Sequence, residues 1–219
     1  EEGRLIHHNM KVVLRYISST YLLDFILPII WFGKIGSIVY LVLLLLITNI
    51  LALALGFNPK KDIMAKSPKK QDKALMSQTT VVRAVIMNFY QGLALVALIR
   101  WEDVYTKYEE MDADTAVITV YVMLKILNAL NVVSRDHSLF SYTTVRNHWS
   151  LLSSLVVLLL HIGCMYTPFI NYQFELTPLK FKRWLLVLKY SLPIILLEES
   201  LKFYRKGGKQ SSKLKQKLE

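Results

Sequence analysis

Apolar residues gather into six stretches along the chain, at about 16–33, 36–57, 84–100, 115–133, 148–169 and 184–201, with short polar segments between them. Two stretches lack any Asp, Glu, Lys or Arg over long distances, 25 residues from Ile35 to Pro59 and 28 from Asn147 to Phe174. About 20 apolar residues cross the hydrocarbon core of a bilayer as a helix. The pattern therefore predicts an all-α polytopic membrane protein of six transmembrane helices. The third stretch has only 16 uncharged residues between Arg83 and Arg100, and the fourth carries Lys125 in its middle. Hydropathy alone ranks both below the second and fifth. An even number of crossings places both termini on one side.

Charge sharpens the topology. The 219 residues hold 27 Lys and Arg against 16 Asp and Glu, a net charge of +11, yet 53% of the chain is apolar. Such a basic balance suggests nucleic acid only where an aromatic-and-basic recognition motif accompanies it, and none does. Short cytoplasmic loops are enriched in Lys and Arg. Most basic residues fall before the first stretch, in the 58–83 loop, in the 134–148 loop and in the tail from Lys202. Both termini are thus expected to face the cytosol or its topological equivalent. The 101–114 loop, with Glu102, Asp103, Glu109, Glu110, Asp112 and Asp114, is an acidic surface on the opposite side, read as a solvated charge run. Residues 1–205 form the expected membrane domain, and 206–219 a flexible basic tail.

Candidate chemistry is sparse. Cys164 is the single cysteine, which excludes a disulfide framework or a cysteine metal site. His161 lies three residues before it, and two soft ligands do not make a zinc site. No constellation predicts a catalytic group, a cofactor or a metal. Trp31, Trp101, Trp149 and Trp184 fall near segment ends, as an interfacial belt requires. The first methionine is Met10, so a processed or truncated start is expected.

Four blocks carry a family resemblance. Glu1-Glu2-Gly3-Arg4 with Asn9-Met10-Lys11, Arg15-Tyr16 and Ser18-Ser19 resembles the stalk and fifth transmembrane helix of P-type cation ATPases. Ala54-Leu55-Gly56-Phe57-Asn58-Pro59, then Asp62-Ile63-Met64 and Lys66-Ser67-Pro68, is similar to the exit of that family's sixth helix. Asn128-Ala129-Leu130-Asn131 with Ser134 and Ser138-Leu139 resembles the end of its eighth. Leu176-Thr177, Trp184-Leu185, Val187-Leu188-Lys189, Ser191-Leu192-Pro193 and Glu199-Ser200-Leu201-Lys202-Phe203 resemble its tenth, in the calcium-pump branch of the sarco/endoplasmic reticulum type. Residues 1–205 thus look like the six C-terminal helices of such a pump, without its phosphorylated segment, nucleotide-binding domain or actuator domain. The chain by itself is expected to hydrolyse no ATP.

The resemblance also implies where cation ligands should stand. Asp24 takes the place of the fifth helix's acidic ligand and Tyr21 that of an asparagine. Leu44, Ile47 and Thr48 replace Asn, Thr and Asp on the sixth helix, and Lys125 replaces the glutamate of the eighth. The candidate site is a degenerate one of Asp24, Thr48, Asn49, Lys125 and Tyr21. An ionisable group within a membrane helix points to function by default, with the Lys125 ammonium as a built-in cation beside Asp24 or the two as a proton relay. The alternative, preferred here because Leu44 and Ile47 are apolar, is a structural ion pair in a disabled site.

The sequence thus predicts a non-catalytic structural or accessory subunit of a larger membrane complex. The alternative is a C-terminal fragment, or separately encoded half, of an ATP-driven calcium-type pump. The expected partners are the lipid bilayer and other membrane chains, with no nucleic acid. The expected compartment is the endoplasmic reticulum or another endomembrane, with an organellar (mitochondrial) inner membrane as the alternative.

Overall fold

The computed structural model describes residues 2–21, 23–24, 38–57, 78–101, 110–134 and 148–204. Every element among them is helical: α1 (Glu2–Ser18), α2 (Ile38–Gly56), α3 (Gln78–Trp101), α4 (Glu110–Val133), α5 (His148–Tyr166), the short α6 (Pro168–Gln173) and α7 (Phe181–Ser191). A last helix, α8, runs over residues 193–204. An all-α membrane fold is what the apolar stretches demand, because a backbone in lipid must satisfy its own hydrogen bonds. Among the described residues, three helices are long and apolar enough to cross a bilayer: Gln78–Arg100, Asp112–Val133 and His148–Tyr166. In α2 the apolar stretch so recognised is the shorter Leu44–Gly56. Half of the predicted first segment, from 25 to 33, lies outside the described residues, as do the tail and most of the 58–83, 101–114 and 134–148 loops.

α4 is the axis of the bundle and packs against α1, α2, α3, α5 and α7. Ala113, Ala116, Val117, Val120, Tyr121, Leu124 and Ala129 are all buried along it. Small residues let neighbouring backbones approach closely, which is how membrane helices associate when lipid is as apolar as the core. α5 shows the complementary layout. Its buried residues are Ser150, Ser154, Val157, His161 and Met165, while Leu152, Leu155, Leu159 and Leu160 point outward. A polar stripe inside and leucines outside suit a lipid solvent.

Two interruptions shape the site. α1 ends at Ser18, Ser19 and Thr20 form a turn, and helical backbone reappears at Tyr21. Three hydroxyls bind back along this segment, Ser18 Oγ to Leu14 O at 2.6 Å, Ser19 Oγ to Tyr16 O at 3.0 Å and Thr20 Oγ1 to Tyr16 O at 2.7 Å. Such back-bonding competes with the helical ladder and bends it. The second interruption divides the predicted sixth segment into α7 and α8 at Leu192. Pro193 follows directly, and its ring lacks the N–H and crowds the carbonyl four residues earlier.

Polar staples fix the relative height of the helices. Asn9 Nδ2 donates to Gly56 O at 2.8 Å, tying α1 to α2. Tyr90 OH donates to Tyr190 O at 2.9 Å, tying α3 to α7. At the acidic end, Arg183 meets Asp112 at 2.8 Å, and Thr177 Oγ1 donates to Asp112 Oδ1 at 2.6 Å.

Candidate functional site

The centre of the bundle holds an ion pair. Lys125 comes from the middle of α4 and Asp24 from the helical piece beyond the break in α1. Nζ of Lys125 lies 2.5 Å from Asp24 Oδ1, and the two side chains are 0% and 3% exposed. A second donation runs from Lys125 Nζ to Thr20 O at 2.8 Å. Tyr121 lies one turn before Lys125 and donates its hydroxyl to the same Asp24 oxygen. The ammonium stands 5.0 Å from the centre of the Tyr121 ring, within cation–π range. Desolvating two charges is repaid only with close geometry and additional hydrogen bonds. This pair has both.

Not all the sequence-predicted residues join it. Thr48 does reach it: fully buried, with its hydroxyl 3.4 Å from Leu44 O, it also hydrogen-bonds Tyr121. Tyr21 and Asn49 stand apart, on a more exposed side. Tyr21 OH donates to Asn49 Oδ1 at 2.8 Å, and Asn49 Nδ2 to Leu45 O at 3.0 Å. Along α1 and the piece beyond its end, Tyr16, Thr20 and Asp24 are all buried. Their spacing of four keeps one helical face, and Tyr21 is rotated off it. Leu44 and Ile47 are buried on the α2 side, 2% and 4% exposed.

Three residues of the network escape a reading of motifs. Tyr121 is one. Asn88 and Gln91, one turn apart on α3, donate to Ser18 O and Ser19 O, each at 2.8 Å. They are joined by Asn128, on α4 and within a block that carries the family resemblance, which donates to Ser19 Oγ at 2.8 Å. The carbonyls freed by the break in α1 are thus taken up by amides from α3 and α4 and by the Lys125 ammonium. Isolated amides inside apolar helices are the signal that points to such a role, since each must find a partner.

The chemistry of the centre follows from its donors. Ca²⁺ takes six to eight oxygens, several of them carboxylate, whereas an ammonium offers three donors and no acceptor. At this position the fixed cation is Lys125, and Asp24 is its counter-ion. His161 is a separate matter: its Nε2 is 3.0 Å from Thr119 Oγ1, which also lies 3.6 Å from Met165 Sδ. Among the described residues no group of three or more His, Cys, Asp or Glu side chains could hold a metal.

A helical bundle with leucines on its outer face and a charged pair sealed at its centre is that of a polytopic membrane protein. The chain belongs to the family described as cation transporting ATPase, C-terminus, whose model matches residues 36–204. It is similar to a calcium-transporting ATPase of Plasmodium falciparum, 30% identical over 94% of this chain and 21% of that protein. It is also similar to the endoplasmic reticulum-type calcium-transporting ATPases 2 and 4 of Arabidopsis thaliana, 28% and 29% identical over 99% and 92% of this chain. The chain spans about a quarter or less of the length of these relatives. The predicted resemblance to the C-terminal membrane part of calcium P-type ATPases therefore holds, and the chain is an integral membrane one.

Proposed function

We propose that this chain is the C-terminal membrane part of an ATP-driven cation pump of the calcium type. In this reading its central cation position is filled by the protein's own Lys125. The observation that carries the reading is the Lys125 ammonium, buried and held between Asp24 Oδ1 and Thr20 O. A mobile divalent ion at the same place meets a fixed positive charge at contact distance, so Ca²⁺ does not bind there. The pair acts as a permanent neutral core for the bundle. The ATPase core is supplied by further sequence or by a partner chain. The names of the Arabidopsis relatives favour the endoplasmic reticulum over a mitochondrial inner membrane, and the excess of Lys and Arg favours the cytosolic side for both termini.

A second reading is a non-catalytic accessory subunit, in which the pump fold serves as a membrane scaffold. Leu44 and Ile47, buried where the family resemblance implies ligands, favour it. One experiment separates the two. After gentle detergent extraction, the native complex is resolved on a native gel and its components identified by mass spectrometry. The pump reading predicts an ATPase core on the same polypeptide or on a co-migrating chain. A large complex without any such core supports the scaffold reading instead. For the ion position, calcium titrated to millimolar concentration should leave the melting temperature of the purified protein unchanged. A rise with calcium that persists in Asp24→Asn locates binding elsewhere, and one abolished by Asp24→Asn overturns the built-in cation.

A further inference from the structure

α5 crosses the bilayer as 19 residues, His148–Tyr166. At 1.5 Å of rise per residue this is about 28 Å, close to the roughly 30 Å of hydrocarbon in a bilayer. Trp149 and Tyr166 mark its two boundaries, each about half exposed. The segment after Tyr166 therefore runs along the edge of the lipid at the acidic end, through α6 and the turn at Glu175 into α7. It is firmly braced. Asn171 Nδ2 donates to Met165 O at 3.3 Å, Tyr166 OH to Leu179 O at 2.9 Å and Trp184 Nε1 to Tyr166 OH at 3.2 Å. Thr177 N donates to Thr115 Oγ1 at 2.9 Å and fastens the segment to α4.

This braced shoulder turns its rings outward. Phe169 and Tyr172 of α6 are 84% and 83% exposed and Phe181, at the start of α7, 76%. α6 buries no residue at all. Exposed apolar clusters on an ordered segment mark an interaction surface, and at a bilayer's edge aromatic rings sit at headgroup level. Lysines give the surface its sign. Phe181 is flanked by Lys180 on one side and by Lys182 and Arg183 on the other. Arg183 is neutralised by Asp112 at 2.8 Å. Lys180 and Lys182 are exposed and, among the described residues, neither pairs with a carboxylate. Leu179, whose carbonyl holds Tyr166, directly precedes them, so the two lysines are anchored beside the end of α5.

We propose that Lys180 and Lys182, with Phe169, Tyr172 and Phe181, form a binding surface for an anionic phospholipid. The rings enter the boundary of the acyl chains, and the two ammonium groups meet the phosphate and the further negative charge of the headgroup. A zwitterionic lipid carries its own ammonium and offers the lysine pair no net charge. A soluble acidic peptide meets the lysines but leaves three rings in water. The 101–114 loop at this end is acidic and closes on Asp112 and Asp114, so a diffuse attraction for anions is lacking and selectivity falls to the shoulder itself.

Photo-crosslinking tests this on the full chain in phosphatidylcholine bilayers doped with a photoactivatable phosphatidylserine or, in parallel, a photoactivatable phosphatidylcholine. Adducts are mapped by peptide mass spectrometry. Over residues 166–184 the serine lipid should give about fivefold more adduct than the choline lipid, a factor that one lysine near an anionic headgroup supplies. Lys180→Gln with Lys182→Gln should erase that preference, and Lys180→Arg with Lys182→Arg should retain it, with unfolding midpoints unchanged in both. Phe169→Ser with Tyr172→Ser should lower the adducts from both lipids, and undiminished labelling there overturns the surface as drawn. Equal yields from the two lipids in the wild type overturn the proposal, as does a serine preference that survives the glutamine pair. A preference that persists in millimolar glycerophosphoserine, which has no acyl chains, supports the lipid, and one abolished by it overturns the lipid in favour of a soluble anion.

Discussion

Lys125 reaches the carbonyl oxygen of Thr20 at 2.8 Å with the same ammonium that meets Asp24 at 2.5 Å. One side chain of α4 therefore bridges the break in α1, holding both an orphaned carbonyl and a carboxylate. This makes the charge structural as well as electrostatic, because removing it frees two acceptors at once.

The double-mutant cycle follows directly. Lys125→Met should destabilise the protein by about 3–5 kcal/mol, since loss of one partner strands the other charge in a low dielectric. Asp24→Asn combined with Lys125→Met should recover most of that loss. Thermal unfolding in detergent micelles measures all three variants, and equal damage from the single and double changes removes the pairing.

A second pair makes a smaller prediction. Arg83 meets Glu198 at 2.6 Å and also caps Asn131 O. Arg83→Leu should cost about 2–3 kcal/mol, less than the central pair because the arginine keeps contact with solvent. Adding Glu198→Gln to Arg83→Leu should return part of it, again read from unfolding midpoints.

Glu175 has φ of 53° after α6, a left-handed conformation that glycine adopts without steric cost. Its neighbour Leu176 N donates to Asn171 O at 2.9 Å and closes the turn. Glu175→Gly should be neutral or stabilising by about 0.5 kcal/mol, and Glu175→Val destabilising by about 1 kcal/mol. A midpoint for the valine variant equal to the wild type contradicts a conformational origin.

Sidedness is open to direct labelling because Cys164 is the single cysteine. In a Cys164→Ser background, cysteines introduced at Lys70 and Lys209 should react with an impermeant maleimide from the same side of sealed vesicles. A cysteine at Glu109 should react only from the other. Labelling of Lys70 and Lys209 positions from opposite sides contradicts an even number of crossings.

The helical membrane fold was legible because uncharged runs longer than a bilayer's thickness have few other uses. Asp24 and Lys125 were also legible, since charge in an apolar run must find a partner. Their companions were harder to foresee. Tyr21 looked equivalent to an ion-ligand position, but the turn at Ser19 and Thr20 puts Thr20 on the buried face instead. Asn88 and Gln91 lie on a helix where no motif falls, and an amide's partner is decided by which helix comes to rest beside it. Pro193 announced a kink without giving its consequence, the division of the last segment into α7 and α8.

α4 is enclosed by its neighbours: 83% of its most apolar window is buried. A lysine at the middle of a membrane helix costs about 2.5–3.5 kcal/mol at the point of insertion. That cost falls away only once Asp24 is alongside, so α4 is a poor candidate to enter the lipid unaided. Biogenesis must therefore deliver Asp24, beyond the end of α1, first and keep its carboxylate accessible until α4 leaves the translocation machinery. The ion pair that settles the finished bundle is, during synthesis, a checkpoint on the order in which its helices come together.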